Sequence, residues 1–275
     1  MTVHLADPQT PALAAPGEPV RLLRRWVQDY FNRHDAQAAR AFIDTGYSLS
    51  IGDSLFVGRD EQWLPAVDEQ MRQYPGLSMT VHQVVAGADQ VAVWFSEHGA
   101  SGGCGGRVAV WSGVALYRVH EGRLARCVAQ EDYTTRARQL RSGVADAVEP
   151  PAAAPWDTQA LPPNPAAEDC VRHWLAQDWP ATPDGVRCDD EDITGERLRF
   201  RVESVDVVEM FSSGADVAFH ARQRGRYLGG LRGVAARDRA EALLVNGIVR
   251  VAEGRVQGGR VIRDRGGLRS RLSRG

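Results

Sequence analysis

The stretch YRVHEGRL, residues 117–124, reappears with small changes as VRVAEGRV at residues 249–256. In each copy an apolar run leads into an Arg-Val-x-Glu-Gly-Arg segment, and a second apolar run leaves it. Two such runs joined by a short turn that contains glycine are typical of an antiparallel hairpin. Because the same motif occurs twice in one chain, the sequence predicts an internal duplication.

Further matches lie on the N-terminal side of each motif. The segment GADQVAVWF at 87–95 is similar to GADVAFHA at 214–221. The segment LRRWVQDYFNR at 23–33 is similar to CVRHWLAQDWP at 170–180. Between the helical and the strand-forming matches, the second copy is shorter than the first. We therefore expect a complete first domain and a second domain that has lost much of its second helix, small hairpin and third helix.

The first copy predicts three helices, a small hairpin and a four-stranded meander. Apolar residues recur at helical spacing after Val20 and again after Trp63, and Asp35 is placed to cap the short helix between them. Gly52 and Asp53 have the chemistry of a turn and are expected to close the small hairpin. Short turns join the remaining strand-forming runs, which favours an antiparallel sheet over residues 77–86, 90–98, 107–120 and 123–133.

The segment at residues 142–167 separates the two copies. It contains six prolines and many alanines but little apolar periodicity, as expected of a semi-rigid linker. The predicted organisation therefore has five parts. These are a flexible N-terminus at 1–17, a complete domain with a ligand pocket at 18–141, the linker at 142–167, a shortened second domain at 168–265 and an Arg-rich tail at 266–275.

The composition argues against several classes of protein. Of the 275 residues 43% are hydrophobic and 25% are charged, and the net charge of −2 favours neither nucleic acid nor a membrane surface as a partner. All 33 basic residues are Arg, so no lysine is present for Schiff-base chemistry. The four cysteines form no CxxC pair, and neither a signal peptide nor a membrane span is predicted. We therefore expect a cytoplasmic enzyme or binding protein.

The order of elements in the first copy resembles that of the nuclear transport factor 2-like superfamily, and within it the SnoaL-like branch of polyketide cyclases and ketosteroid isomerase-like proteins. The resemblance rests on the segments NRHDAQAARAFI, GRDEQW, GADQVAVWF and WSGVALYRVHEGRL, which begin at Asn32, Gly58, Gly87 and Trp111. It covers residues 18–140 well and residues 166–265 loosely. It implies an α+β fold in which a curved antiparallel sheet wraps on helices into a cone with an apolar pocket.

Members of this superfamily commonly dimerise through the outer face of the sheet. A tandem copy therefore suggests two cone-shaped domains arranged as a pseudo-dimer within one chain, and a possible homodimer of such chains. The resemblance also implies isomerisation, dehydration, cyclisation or epoxide hydrolysis without a cofactor, or ligand binding alone. The acids of the family do not match here, since the base of the ketosteroid isomerase-like members falls near Ser50 and the Trp-Asp pair of the cyclase-like members falls on Val128 and Ala129.

Candidate acid–base residues lie instead near the ends of strands. Glu97 and His98 end the second strand of the meander on opposite faces, so one of them faces the inside of the sheet. His82 either lines the cone or faces the second domain. We predict that His98 or His82 shuttles a proton, because the imidazole titrates near neutral pH; the alternative is a solvated Glu97–His98 pair.

Glu131 and Asp132 end the last strand of the meander. Because neighbouring side chains on a strand point in opposite directions, the two carboxylates cannot form one dyad, but one of them can reach the mouth of the cone. There it would act as a base or orient one of the two histidines. The alternative is an ion pair with Arg136 or Arg138.

Aromatic residues are abundant in the first copy and are expected to line its pocket. The hydroxyl group of Tyr30 is the predicted hydrogen-bond donor to a ligand oxygen, because a buried hydroxyl needs a partner. No HxH or HxxxH pattern supports a metal site, and no cofactor is predicted. The predicted substrate-binding wall indicates a flat or aromatic, largely neutral ligand and consists of Trp26, Tyr47, Trp63, Trp111 and Tyr117.

Three hypotheses about function follow from these residues. The first is a cofactor-independent lyase or isomerase that acts on a small apolar or aromatic metabolite by dehydration, retro-aldol-type cleavage, a double-bond shift or cyclisation. The second is a non-catalytic protein that binds or carries such a ligand. The third is an interaction scaffold in which the shortened copy presents a surface to a partner protein.

Overall fold

Two β-sheets, each packed against helices, make up the computed structural model of the protein, which describes residues 15–178, 185–190, 197–235 and 238–274. The fold class is α+β, as the sequence predicts. The predicted flexible N-terminus lies outside the described residues except for 15–17. No helix in the described ranges has the length and apolar character needed to cross a membrane.

Three helices begin the first domain. Helix α1 (Glu18–Arg25) continues into a π-helical turn (Trp26–Tyr30), and a second π-helical turn (Arg59–Trp63) leads into helix α3 (Leu64–Gln73). Between them lies the short helix α2 (Ala36–Arg40). The predicted cap is confirmed, because the carboxylate of Asp35 accepts hydrogen bonds from the N–H groups of Gln37 and Ala38.

The first sheet contains the predicted small hairpin and meander. Its strands lie in the order β2-β1-β6-β5-β4-β3, and all neighbours are antiparallel except β1 and β6. The hairpin between β1 and β2 turns at Gly52 and Asp53, as predicted. The six strands are β1 (Ile43–Ile51), β2 (Ser54–Val57), β3 (Ser78–Ala86), β4 (Gln90–Ser101), β5 (Arg107–His120) and β6 (Arg123–Glu131).

The segment after helix α4 (Tyr133–Ser142) connects the two sheets along their edges. The N–H group of Ala152 donates to the carbonyl of Val81 on edge strand β3 at 2.9 Å. Further along, the N–H group of Leu161 donates to the hydroxyl of Ser213 at 2.9 Å. The proline-rich linker is therefore docked against both domains, consistent with a semi-rigid connection.

The second domain repeats the strand order of the first. Its five strands lie in the order β7-β11-β10-β9-β8, and β7 is parallel to β11 just as β1 is parallel to β6. The shortened domain thus keeps a strand at the position of β1. Its elements are α5 (Pro165–His173) with a π-helical turn (Trp174–Asp178), β7 (Val186–Cys188), β8 (Arg199–Ser213), β9 (Asp216–Gly229), β10 (Arg239–Ala252), β11 (Arg255–Arg263) and α6 (Arg265–Arg274).

Of the predicted Arg-rich tail at 266–275, residues 266–274 are helical and belong to the second domain. Leu268 and Leu272 of α6 are buried against the core of that domain. The sequence did not predict this helix because the segment is rich in arginine and has few apolar residues. Helices α4 and α6 both have 10 residues, and each follows an aspartate that accepts a hydrogen bond from the third residue beyond it. The two halves are therefore alike in strand order and in their last helix, while their common origin stays a prediction.

The outer faces of the two sheets pack against each other, in the arrangement expected of an intrachain pseudo-dimer. Asn246 crosses this interface, and its amide N–H groups donate to the carbonyls of Val114 at 2.9 Å and Val128 at 3.0 Å. Because both sheets also bury their inner faces, their central strands contact protein on both sides. The apolar interface consists of Val85, Ala92, Val114 and Leu116 from the first sheet and Phe211, Ala218, Ile248 and Ile262 from the second.

Buried ion pairs join the domains beside this apolar contact. The carboxylate of Asp132 accepts from the guanidinium of Arg265 at 2.5 Å, from the N–H group of Asp190 at 2.9 Å and from the hydroxyl of Thr135 at 2.9 Å. Burial acts to raise the pKa of Asp132, but the charge and hydrogen bond of Arg265 outweigh it, so the pKa lies below its ordinary value. Arg118 and Arg126 of the first domain pair with the buried carboxylate of Glu209 in the second, whereas the buried pairs Arg260–Asp190 and Arg263–Asp189 lie within the second domain.

We expect Asp132→Asn to lower the free energy of unfolding by about 3 kcal/mol, because it removes one partner of a buried ion pair and leaves the buried Arg265 with Asp189, at 3.2 Å, as its carboxylate contact. Urea denaturation followed by circular dichroism measures the change. Asp89→Asn is the matched control, because Asp89 has a side chain 63% exposed and only a 4.0 Å contact with Arg118. A loss of less than about 1 kcal/mol for Asp132→Asn would contradict the assigned role.

Candidate functional site

The first domain encloses a narrow cavity between its helices and the inner face of its sheet. The inner chamber has a volume of about 50 Å³ and opens into a vestibule of about 330 Å³. Leu49, Ile51, Val67, Gln70 and Glu131 line both spaces, so the two are continuous. The remaining wall of the chamber is largely apolar and aromatic and is formed by Trp26, Phe31, Tyr47, Trp63, Phe95, Glu97, Ala115, Tyr117, Cys127 and Ala129.

The aromatic wall combines side chains of the helical segments with side chains of the sheet. Trp26 and Trp63 come from the two π-helical turns and Phe31 follows the first turn, while Tyr47, Phe95 and Tyr117 come from strands β1, β4 and β5. A π-helical turn widens the helix by one residue, which changes the direction of its side chains. Tyr30 packs against Trp63 with ring centroids 5.3 Å apart, and Trp63 packs against Tyr47 at 5.0 Å. Of the predicted binding residues, Trp26, Tyr47, Trp63 and Tyr117 line the chamber.

Trp111 is the exception among the predicted wall residues. It is fully buried on strand β5 but lies behind the chamber rather than in its wall. Its indole N–H group donates to the carboxylate of Glu131 at 2.7 Å. Trp111 therefore orients an acid that the ligand can reach.

Two carboxyl groups, those of Glu97 and Glu131, face the chamber. Glu97 is only 3% exposed and accepts a hydrogen bond from the amide of Gln70 at 2.9 Å. Burial, reinforced by the charge of Glu131, raises the pKa of Glu97 well above its ordinary value. Burial also raises the pKa of Glu131, but the hydrogen bond from Trp111 and the charge of Arg136 oppose that rise.

The two glutamates have different surroundings, and these affect how readily each one ionises. Glu131 has an indole donor and a nearby guanidinium, whereas Glu97 has one neutral amide donor and deeper burial. When two carboxyl groups interact in a site of low polarity, the charge of one disfavours ionisation of the other. Of the two, Glu97 is therefore the carboxyl group that keeps its proton more readily, and Glu131 is the one that ionises more readily.

Two hydrogen-bond donors beside the chamber are unused. The indole N–H group of Trp26 and the hydroxyl group of Tyr30 are buried and have no hydrogen-bond partner within the described residues. Burial raises the pKa of Tyr30 well above its ordinary value, so the hydroxyl stays neutral and keeps its proton. Because an unpaired buried donor is unfavourable, both groups are suited to a ligand oxygen.

The predicted histidines do not reach the chamber, so the pairing of either one with a carboxylate at the mouth is wrong. His98 shares a hydrogen bond of 3.0 Å with the hydroxyl of Thr80 on the outer side of the sheet. His82 packs against Trp94 at 4.9 Å and contacts the carbonyl of Pro150 at 2.9 Å. It is the extra residue of a β-bulge, which reverses the alternation of faces along β3.

Asp132 is also not part of the chamber. It caps helix α4 and pairs with Arg265 at the domain interface, so it serves neither as a base nor as an orienter of a histidine. Asp53 is a turn residue, as predicted, and its carboxylate forms an ion pair with Arg271. Of the predicted catalytic residues, the structure brings Glu131 to the chamber and places Tyr30 beside it.

Glu97 is the chamber residue that the sequence did not single out. The sequence showed only that either Glu97 or His98 faces inward. Strand β4 is apolar on both faces, so the alternation of residue types could not decide between them. Two features indicate that Glu97 faces inward. It is two residues from Phe95 and so shares a face with it, and it lies opposite Trp111 on β5.

The second sheet has different residues at the matching positions. Gln223 lies as many positions along β9 as Glu97 lies along β4, and Arg263 ends β11 as Glu131 ends β6. Gln223 is fully buried, and Arg263 pairs with Asp189. The carboxyl pair therefore belongs to the first domain alone among the described residues.

No metal site is apparent in the parts of the chain that the structure describes, where no three His, Cys, Asp or Glu side chains are grouped to hold an ion.

Comparison with known families gives a match within the first domain. Residues 23–127 match the family model described as "SnoaL-like domain". No curated protein matches the chain significantly.

Several solved structures are similar to the chain. A SnoaL-like polyketide cyclase from Jannaschia sp. CCS1 is 17% identical, with a TM-score of 0.42, and the alignment covers 49% of this chain and 97% of that one. IdmH, a polyketide cyclase from Streptomyces antibioticus, is 21% identical, with a TM-score of 0.40 and coverage of 45% and 98%. An LEH-like epoxide hydrolase from M. tuberculosis is 14% identical, with a TM-score of 0.40 and coverage of 46% and 91%.

We expect Glu97→Gln to stabilise the protein increasingly as the pH rises above about 4.5, the ordinary pKa of glutamate. A folded-state pKa above that value means that the folded protein binds more protons, so the wild-type protein loses stability with rising pH and the variant does not. The difference between the two proteins should grow by roughly 1 kcal/mol or more between about pH 5 and about pH 9. Thermal unfolding at both pH values measures it.

The exposed residue Glu61 provides the control, since Glu61→Gln removes a carboxylate from the surface of the same domain. If Glu97→Gln and Glu61→Gln showed the same pH dependence, the inward placement of Glu97 would be wrong.

Proposed function

We propose that the first domain is a cofactor-independent acid–base catalyst of the lyase or isomerase type. Its substrate is a small, flat, apolar or aromatic molecule that carries an oxygen function. The observation that carries this proposal is the Glu97–Glu131 pair, two carboxyl groups with raised pKa values in an aromatic chamber. Such a pair supplies an acid and a base at the same pH.

The roles follow from the surroundings of each group. Glu131, held by Trp111, is the carboxylate that removes a proton from a carbon next to a carbonyl or similar group. Its low-polarity surroundings make it a stronger base than a glutamate in water. Glu97 carries the proton that is returned to the substrate or to a leaving group.

The unused donors complete the site. When a proton leaves carbon, negative charge develops on the substrate oxygen, and fixed donors stabilise that charge. Trp26 and Tyr30 provide an N–H and an O–H group beside the chamber without a competing partner among the described residues. Double-bond shift, dehydration, retro-aldol-type cleavage and cyclisation all pass through such an oxygen-stabilised carbanion, so the site supports this group of reactions.

The SnoaL-like domain at 23–127 supports the proposal, since the resemblance to that branch implies cofactor-free chemistry of this kind. The alternative of a non-catalytic carrier uses the same chamber and donors but needs no proton transfer. The two are separated by a probe that reports proton removal directly.

Nitrobenzisoxazole is such a probe, because a base removes its ring C–H proton, the N–O bond breaks and a coloured cyanonitrophenolate forms without another reactant. We expect the wild-type protein to catalyse this elimination and Glu131→Gln to lower kcat/KM by about 100-fold or more. His98→Ala and His82→Ala, the matched controls, should retain wild-type activity, since both histidines lie outside the chamber.

Absorbance of the phenolate measures the rate, and thermal unfolding checks that each variant is folded. Binding of the probe without its conversion would favour the carrier. Loss of activity in the histidine variants but not in Glu131→Gln would overturn the proposed base.

A further inference from the structure

Arg136 of helix α4 lies over three aromatic rings at the mouth of the chamber. Its guanidinium carbon is 4.2 Å from the ring centre of Tyr133, 5.1 Å from that of Trp111 and 5.5 Å from that of Tyr74. Contact with ring faces holds the guanidinium in place by cation–π attraction. It also leaves the N–H groups at the edge of the guanidinium plane available for other partners.

Those N–H groups have no hydrogen-bond partner among the residues that the structure describes. Arg136 forms no ion pair within 4.0 Å and no side-chain hydrogen bond with any residue that the structure describes. The acids around it are committed elsewhere, since Glu69 pairs with Arg72 at 2.5 Å and accepts from Gln73, and Glu131 accepts from Trp111. Arg136 thus acts on Glu131 through its charge but makes no direct ion pair within the described residues, and it faces the vestibule.

The vestibule connects Arg136 to the chamber. Arg136 and Tyr133 line it, and it shares Glu131 and Gln70 with the chamber. A flat ligand that enters through the vestibule would reach the narrow chamber with one end and keep its other end in the vestibule. Besides apolar and uncharged residues, the vestibule is lined by the acids Glu69 and Glu131 and by Arg136, so Arg136 is the cationic donor that this end of the ligand meets.

We infer that Arg136 anchors a carboxylate of the substrate, so that the ligand of the first domain is a flat apolar or aromatic carboxylic acid. The inference rests on the proposed function for the location of the reacting part of the ligand. A planar guanidinium edge matches the two oxygens of a carboxylate. A phosphate dianion fits less well, because a single guanidinium offsets only one of its two negative charges. The second charge would be repelled by the carboxylates of Glu131 and Glu69, which line the same space.

The experiment compares trans-cinnamate with cinnamamide, two probes of the same shape that differ in charge. Isothermal titration calorimetry of the full chain at neutral pH should show cinnamate binding about tenfold or more tightly, as a charge-assisted hydrogen bond provides. Arg136→Gln should abolish this preference and leave the affinity for cinnamamide nearly unchanged. Arg136→Lys should retain part of it, because the ammonium keeps the charge but not the planar edge.

Arg141→Gln is the matched control, because Arg141 is on the same helix, is exposed and lies outside the vestibule. Its preference should equal that of the wild-type protein, and circular dichroism confirms the fold of each variant. Equal binding of the two probes to the wild-type protein, or equal loss of both in Arg136→Gln, would overturn the inference. So would binding of neither probe, or tighter binding of phenyl phosphate than of cinnamate.

These outcomes are independent of the proposed catalysis. Calorimetry detects binding without turnover, and nitrobenzisoxazole carries no carboxylate. If the protein prefers cinnamate but does not convert nitrobenzisoxazole, the carboxylate anchor is supported and the proposed base is wrong. If it converts nitrobenzisoxazole but does not prefer cinnamate, the base is supported and the anchor is wrong.

Discussion

The burial of both faces of the first sheet is the constraint on which the rest of the structure depends. The outer face packs against the second sheet, and the inner face packs against helices around the chamber. Polar groups on either face therefore lose water and must find partners within the protein. On the outer face they find them across the domain interface, as Asn246 does with two backbone carbonyls. On the inner face Glu97 accepts from Gln70 and Glu131 accepts from Trp111, while the N–H group of Trp26 and the hydroxyl of Tyr30 have no partner among the described residues.

Glu131 and Asp132 show how this constraint assigns different chemistry to adjacent residues. Because they point to opposite sides, Glu131 lies in the chamber while Asp132 lies in the interface. Both are buried. Asp132 has a guanidinium at 2.5 Å and a pKa below its ordinary value, whereas Glu131 has a neutral indole at 2.7 Å and a raised pKa. The partner, rather than burial alone, decides whether the acid stabilises the fold or remains available for proton transfer.

The sequence predicted most of the first domain because local signals there were strong. The cap at Asp35, the turn at Gly52-Asp53 and the meander are all present. Most of the predicted aromatic wall was correctly located. The errors come from features without a local signal: the bulge at His82 reverses the faces of a strand, and β4 is apolar on both sides. Helix α6 was not predicted because its buried face consists of only two leucines, Leu268 and Leu272, in a segment that is otherwise rich in arginine.

Among the described residues, the second domain has no carboxyl pair at the positions that match Glu97 and Glu131, and its contacts indicate what it contributes to the structure instead. At the matching positions Glu97 is replaced by Gln223, which cannot exchange a proton near neutral pH, and Glu131 by Arg263, which pairs with Asp189. The neighbouring Arg260 and Arg265 bind Asp190 and Asp132. Of these arginines, Arg265 pairs with Asp132 and Arg260 donates to the hydroxyl of Ser112, so these two attach the second domain to the first, whereas Arg263 pairs within the second domain. The second sheet thus covers the outer face of the first sheet, and the helices of the first domain cover the inner face, where the acid pair lies.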